Sequence, residues 1–185
     1  MIDEVYQSMK ESVDSAHDAL RKTLGRIRTG RANAAMLDSV RVDYYGSMTP
    51  LNQLATIATP EPRMLLVKPY DRSSVGAVEK AIQSADLGLN PASDGEIIRI
   101  PVPQLTEERR KELGKVVRKH GEECKISIRN ARRDSNDMLK ELESGGDAPK
   151  DDVARATKKI QEMTDQAVAE VDEIVEAKEK DIAEI

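Results

Sequence analysis

The chain has 185 residues, of which 34% are charged, and a formal net charge of −5, so it is no uniformly basic nucleic-acid coat. Trp and Phe are absent and four Tyr are the only aromatics, which excludes a broad aromatic core and favours narrow seams of Leu, Ile, Val, Met and Ala between long helices. The one cysteine, Cys124, excludes an internal disulfide and suits a reducing compartment. The polar N-terminal segment lacks a secretory-signal pattern, and no run of about 18 apolar residues occurs, so a soluble, cytoplasmic protein without a membrane span is expected.

Along residues 2–27, apolar side chains at Ile2, Tyr6, Met9, Val13, Ala16, Leu20, Leu24 and Ile27 recur at steps of three and four, a helical seam that ends by Gly30. Residues 31–105 then change character. The alternation "SVRVDYY" (residues 39–45) predicts a strand, and residues 46–50 a turn. Residues 54–58 and 64–68 read as strands, 74–85 as a short helix with Val75, Val78, Ala81 and Ile82 on one side, and 96–102 as a last strand. A second helical seam follows through Leu113, Val117, His120, Cys124, Ile128, Ala131, Ser135, Met138 and Leu142. Thr106 is its expected N-cap, with Glu107 and Glu108 suiting the helix dipole. The glycines and proline of "SGGDAPKDD" mark a turn. A third seam runs from Val153 through Ala156, Ile160, Met163, Ala167, Val171 and Ile174 towards Ile182 and Ile185.

Each seam is one stripe wide, so the three helices must pack on one another. The expected fold class is α+β: a long antiparallel three-helix bundle formed by residues 1–30 and 106–185, with a small, β-rich α/β domain of residues 31–105 inserted in it. Gly30-Arg31 and the stretch containing Gln104 and Leu105 are the two connections, and they form the expected hinge. With each seam satisfied inside one bundle, a monomer is expected.

Charge is unevenly spread. Residues 106–140 carry eleven Lys or Arg against seven acids, whereas residues 141–185 carry six against fourteen. At about 100° per residue, Lys111, Lys115, Arg118, Lys125, Arg129, Arg132 and Arg133 fall in one arc away from the apolar seam. One reading is a solvated face paired with acids of the third helix. The other is a polyanion-binding stripe, for which arginine's planar fork suits phosphate. Such a stripe without an aromatic cluster fits folded RNA recognised by phosphate and shape rather than by stacking. Helix lengths of about 40 Å for the first and 57 Å for the second put Arg129, Arg132 and Arg133 in the distal half of the rod. Arg26, Arg28 and Arg31 form a smaller cluster near the connections.

No phosphate-cradling glycine loop and no metal-ligand spacing is present, so neither cofactor nor metal is expected. His120 and Cys124 fall on the seam, where a satisfied core or boundary histidine and an inert thiol are expected. No constellation points to an enzyme. A helical protein adaptor would account for the bundle but not for the basic stripe.

The blocks "IRTGRANAAMLDSVRVDYYGSMTPLNQLA", "PEPRMLLVKPYDRS", "EKAIQSADLGLNPASDGEIIRIPVPQLTEERRKEL" and "IRNARRDSND" closely resemble the bacterial and organellar ribosome recycling factor family over essentially the whole chain. The resemblance implies an L-shaped molecule of near-transfer-RNA dimensions with a flexible elbow. It implies a translation factor that acts after termination and, with elongation factor G and GTP hydrolysis by that factor, splits the ribosomal subunits. By motif it carries ribosomal-RNA binding on the large subunit to Arg129, Arg132 and Arg133 in "IRNARRD" and to Arg28 and Arg31 in "RTGRA". It matches the hinge to Gly30 and the stretch of Gln104 and Leu105, and turns the small domain, with Tyr44 and Tyr45, towards elongation factor G. Two departures stand out: Ala131 replaces a usually larger aliphatic residue, and the 144–149 turn is glycine-rich, from which a looser tip is expected.

Overall fold

Three helices make up the first of two units into which the described residues, 1–184 of this computed structural model, divide. That unit comprises Met1–Arg28 and Glu107–Glu184; the second is Thr29–Thr106. Ile185, the expected last position of the third seam, lies outside the described residues.

Helix α1 spans Ile2–Gly25, with Asp3 and Glu4 at its positive end and Lys22 in its last turn. It stops before Ile27, because at Gly25 the chain tightens into three-residue turns: the Arg26 amide donates to the Thr23 carbonyl and the Ile27 amide to that of Leu24. Helix α4 covers Glu107–Ser144 and α5 covers Lys150–Ala183; both pack on α1 and on each other. Between them the glycine-rich turn is closed rather than loose. The Gly145 amide bonds the Glu141 carbonyl, the Asp147 and Ala148 amides bond that of Leu142, and Gly146 takes φ 76°. Capping bonds of this kind satisfy the orphan carbonyls of the helix end, and Ala148 is buried beneath them.

The seams differ from their expected courses in three places. On α4 the buried line runs through Gly121 and Leu139, while Met138 is 42% exposed; His120 is half-buried, within the expected range of a core or boundary histidine, its Nδ1 3.3 Å from Glu123. On α5 Thr164 is buried and bonds the Ile160 carbonyl, which leaves Met163 half-buried. On α1 the buried set includes His17, 3% exposed, whose Nε2 lies 3.0 Å from the Ala167 carbonyl and Nδ1 3.3 Å from Glu170. A histidine that looks isolated in sequence thus ties α1 to α5. Cys124 is buried as expected; its Sγ lies 3.4 Å from the Ala16 carbonyl, and burial pushes its thiol pKa up, which keeps it unreactive.

Gly121 marks a close approach of α4 to α5: an added Cβ would lie 2.6 Å from Val175 Cγ2. Gly121→Val is therefore expected to lower stability by about 2–3 kcal/mol through overpacking. At Gly76, in the second unit, an added Cβ meets nothing within 4 Å, so Gly76→Ala should raise stability by roughly 0.5 kcal/mol. Urea unfolding of the two variants checks both signs.

In the second unit, β1 (Arg41–Tyr44) and β2 (Ser47–Pro50) form a hairpin in which Tyr44 pairs with Ser47. Residues 47–50, expected in a turn, form a strand because Tyr45 and Gly46, at φ 51° and 83°, close the hairpin in two residues. A one-turn helix α2 (Leu51–Leu54) leads to an antiparallel sheet of order β3-β4-β6-β5, comprising β3 (Ala55–Glu61), β4 (Met64–Pro69), β5 (Ala92–Ser93) and β6 (Ile98–Pro101). The β3–β4 register slips between Ala58 and Glu61, where Pro60 has no amide to give to the ladder. Helix α3 (Val75–Ser84) buries Val75, Val78 and Ile82 in a core shared with Leu65, Val67, Ile98 and Ile100, its face as the sequence spacing predicts.

Candidate nucleic-acid interface

Along the exposed arc of α4, Lys111, Arg118 and Lys125 are paired with acids, whereas Lys115 and the distal arginines enter no ion pair among the described residues. Towards its start, Lys111 pairs with Glu107 at 3.1 Å and Arg118 pairs with Glu179 of α5. Lys125 lies 2.6 Å from Asp172 and 3.5 Å from Glu122, with a side chain only 15% exposed. Its hydrogen bond to Asp172 holds the ammonium above its usual pKa. Here the expectation of a fully solvent-facing stripe fails at Lys125, which Asp172 of α5 and Glu122 of its own helix draw down, while Lys111 and Arg118 stay exposed. The solvated-face reading holds for this part of the arc.

Past Lys125 the pairing stops. Arg129 and Arg133 are exposed and enter no ion pair among the described residues. Arg132 is half-buried, not fully exposed, and its Nη1 donates to Gln161 Oε1 at 3.3 Å. That bond fixes the stem of Arg132 against α5 without neutralising its charge. The three arginines thus form a cationic face whose charge the bundle itself does not cancel. Asn136, on the same side of the helix one turn beyond Arg132 and Arg133, has its Oδ1 buried without a hydrogen-bond partner.

The remaining residues singled out in sequence lie past the end of α1 or in the second unit. Arg28 is exposed beyond the end of α1, and Arg31 is exposed in the second unit. Gly30 is buried at φ 79°, a conformation that favours glycine. Gln104 Oε1 accepts from Arg63 Nη1 at 3.3 Å, and Leu105 is half-buried.

Tyr44 and Tyr45 meet edge to face, ring centres 4.6 Å apart, with Tyr45 82% exposed. Both hydroxyls reach Asp71 Oδ2, at 3.3 and 3.5 Å, while Asp71 Oδ1 accepts from the Ser73 amide and hydroxyl. Asp71 therefore fastens the hairpin tip to the turn that opens α3. Sequence reasoning missed this role, although an Asx cap in "DRSS" was its available signal. The Ser73 bonds hold the Asp71 carboxyl below its usual pKa, and desolvation with the nearby carboxylate pushes the Tyr44 phenol up. Asp71 has the lower pKa in the folded state, so its contribution is present above the unfolded carboxylate pKa and is lost as pH falls through the folded one. Asp71→Asn is expected to bring the Tyr44 titration back towards the ordinary phenol range; ultraviolet difference titration measures it.

Among the described residues, no cluster of three His, Cys, Asp or Glu is placed to hold a metal ion, and no helix is long and apolar enough to cross a membrane. Fold and site together define an α+β protein in which a long helical bundle carries an arginine face without ion pairs and a small sheet domain carries an exposed Tyr45 against a half-buried Tyr44. The family model described as ribosome recycling factor matches residues 20–183. The chain belongs to the ribosome recycling factor family. It is 51% identical to the ribosome-recycling factor of Bacillus pumilus (strain SAFR-032) and 49% identical to that of Sorangium cellulosum (strain So ce56), each over 100% of both chains. Among solved structures it is similar to the solution structure of a ribosome recycling factor, at TM-score 0.72 and 35% identity over 100% of this chain and 98% of that one. It is also similar, at TM-score 0.61 and 42% identity over 98% of each chain, to the T. thermophilus ribosome recycling factor that, with E. coli elongation factor G, is bound to the E. coli post-termination complex.

Proposed function

We propose that this chain binds the post-termination ribosome in the cytoplasm as a monomer and, together with elongation factor G, separates the subunits so that they are released from messenger RNA. It acts by binding rather than by catalysis, GTP hydrolysis by the elongation factor supplying the free energy. The observation that carries the reading is the face of Arg129, Arg132 and Arg133, left without an ion pair on a helix where Arg118 and Lys125 are matched by acids of α5 and Lys111 by Glu107 of its own helix. That face grips ribosomal RNA of the large subunit through charge-assisted bonds to phosphate. Arg28 and Arg31 add phosphate contacts. The small domain, with Tyr44 and Tyr45 held by Asp71, meets elongation factor G; tyrosine is enriched where proteins dock. Gly30, Arg31, Gln104 and Leu105 serve as the elbow that lets the domains reorient. The T. thermophilus recycling factor bound with elongation factor G to a post-termination complex, which this chain resembles, supports that partnership.

Light scattering of post-termination ribosomes tests the proposal. Subunit separation is expected only when this chain, elongation factor G and GTP are all present. Unchanged scattering with all three would overturn it.

A further inference from the structure

Helix α4 exposes three large aliphatic side chains, Val116 at 40%, Met138 at 42% and Ile126 at 53%. Scattered exposed aliphatics are ordinary, but Ile126 differs from the other two in its neighbours. Arg129 and Arg133 lie three and seven residues on, along the same face of the helix, and both are exposed and without an ion pair among the described residues. Val116 and Met138 fall outside that arc by helical geometry. Nor does helix formation call for isoleucine here, since a β-branched side chain is a poorer choice than Lys, Glu or Gln at an exposed helical site. The fold gains nothing from Ile126, whereas a surface shared with the two guanidinium groups would.

We infer that Ile126 is an RNA-contacting residue that packs against ribose or base-edge carbon of the large-subunit RNA beside the phosphate held by Arg129, on the side away from Arg133. The inference rests on the reading of that face as an RNA interface. The chemistry suits an A-form surface, whose wide, shallow minor groove displays sugars and base edges between its two lines of phosphate. The cations alone would leave water beside them. A branched aliphatic excludes that water, adding buried apolar area and lowering the dielectric around the adjacent charge-assisted bond. Asn130, exposed one turn on from Ile126, extends the same contact with polar groups.

The test is equilibrium binding of fluorescently labelled full-length chain to purified bacterial large ribosomal subunits across a salt series. Ile126→Ala should weaken binding roughly 3- to 10-fold, in proportion to the apolar area lost, while the slope of log affinity against log salt stays as in the parent, because no counterion-releasing group is removed. Alanine is the better helix former, so the melting temperature should not fall, and Ile126→Leu should restore most of the affinity. Parental binding by Ile126→Ala, or a shallower salt slope, overturns the inference. Failure of the underlying reading looks different: Arg129→Ala and Arg133→Ala would then bind as tightly as the parent.

Discussion

Replacing Arg129 and Arg133 together by alanine is expected to weaken binding to large ribosomal subunits by roughly 100- to 10,000-fold. Each guanidinium lost removes a charge-assisted bond to phosphate of about 1.5–3 kcal/mol, and each 1.4 kcal/mol is tenfold. Folding should be spared, within about 0.5 kcal/mol for solvent-facing positions, because neither residue has an ion-pair partner among the described residues to lose. The controls come from the same helix. Arg118→Ala and Lys125→Ala remove the same charge, but from side chains already matched by Glu179 and Asp172, so less than about tenfold loss is expected through screened, longer-range attraction. Arg132→Ala should weaken binding as one arginine of the pair does, roughly 10- to 150-fold, and also give up the Gln161 bond, worth about 0.5–1.5 kcal/mol of stability. Equal losses per charge removed at all five positions would mean diffuse attraction rather than a site.

Leu139→Ala is expected to cost the bundle about 2–5 kcal/mol, the range for truncating a fully buried leucine, whereas Met138→Ala beside it should stay within about 0.5 kcal/mol. Leu139 is 0% exposed and shares a core with Val5, Met9, Ala156 and Ile160 of the two neighbouring helices. Met138 is 42% exposed. Urea unfolding followed by far-ultraviolet circular dichroism separates the two, and similar midpoints would show that the helix is turned by one position.

That pair of residues shows where reading from sequence stops. From Ser135 a step of three leads to Met138 and a step of four to Leu139, and both are permitted helical spacings. Which one enters the core depends on how α1 and α5 approach α4, and that is set by contacts distant in sequence. The same limit explains Gly121, a poor helix former by propensity that is required by the nearness of Val175. Residues 47–50 look like part of a turn because their pairing with β1 is created by the backbone of Tyr45 and Gly46, not by any apolar alternation of their own. The helices, the inserted sheet domain and the arc of cations were readable because periodicity of 3.6 or 2 records them locally. Which cations stay bare was not. Glu179, Asp172 and Gln161 lie 29 to 61 residues from their partners, and only the packed register of α5 on α4 matches them.

The most direct test of the account is the salt dependence of binding to large subunits, compared between the parent chain and the Arg129→Ala, Arg133→Ala double variant. If these two guanidinium groups neutralise RNA phosphates, the parent's slope of log affinity against log salt should be steeper by about 1.4 to 1.8, corresponding to two phosphate contacts. Parallel slopes, with both chains losing affinity equally as salt rises, would contradict the claim that these arginines grip RNA.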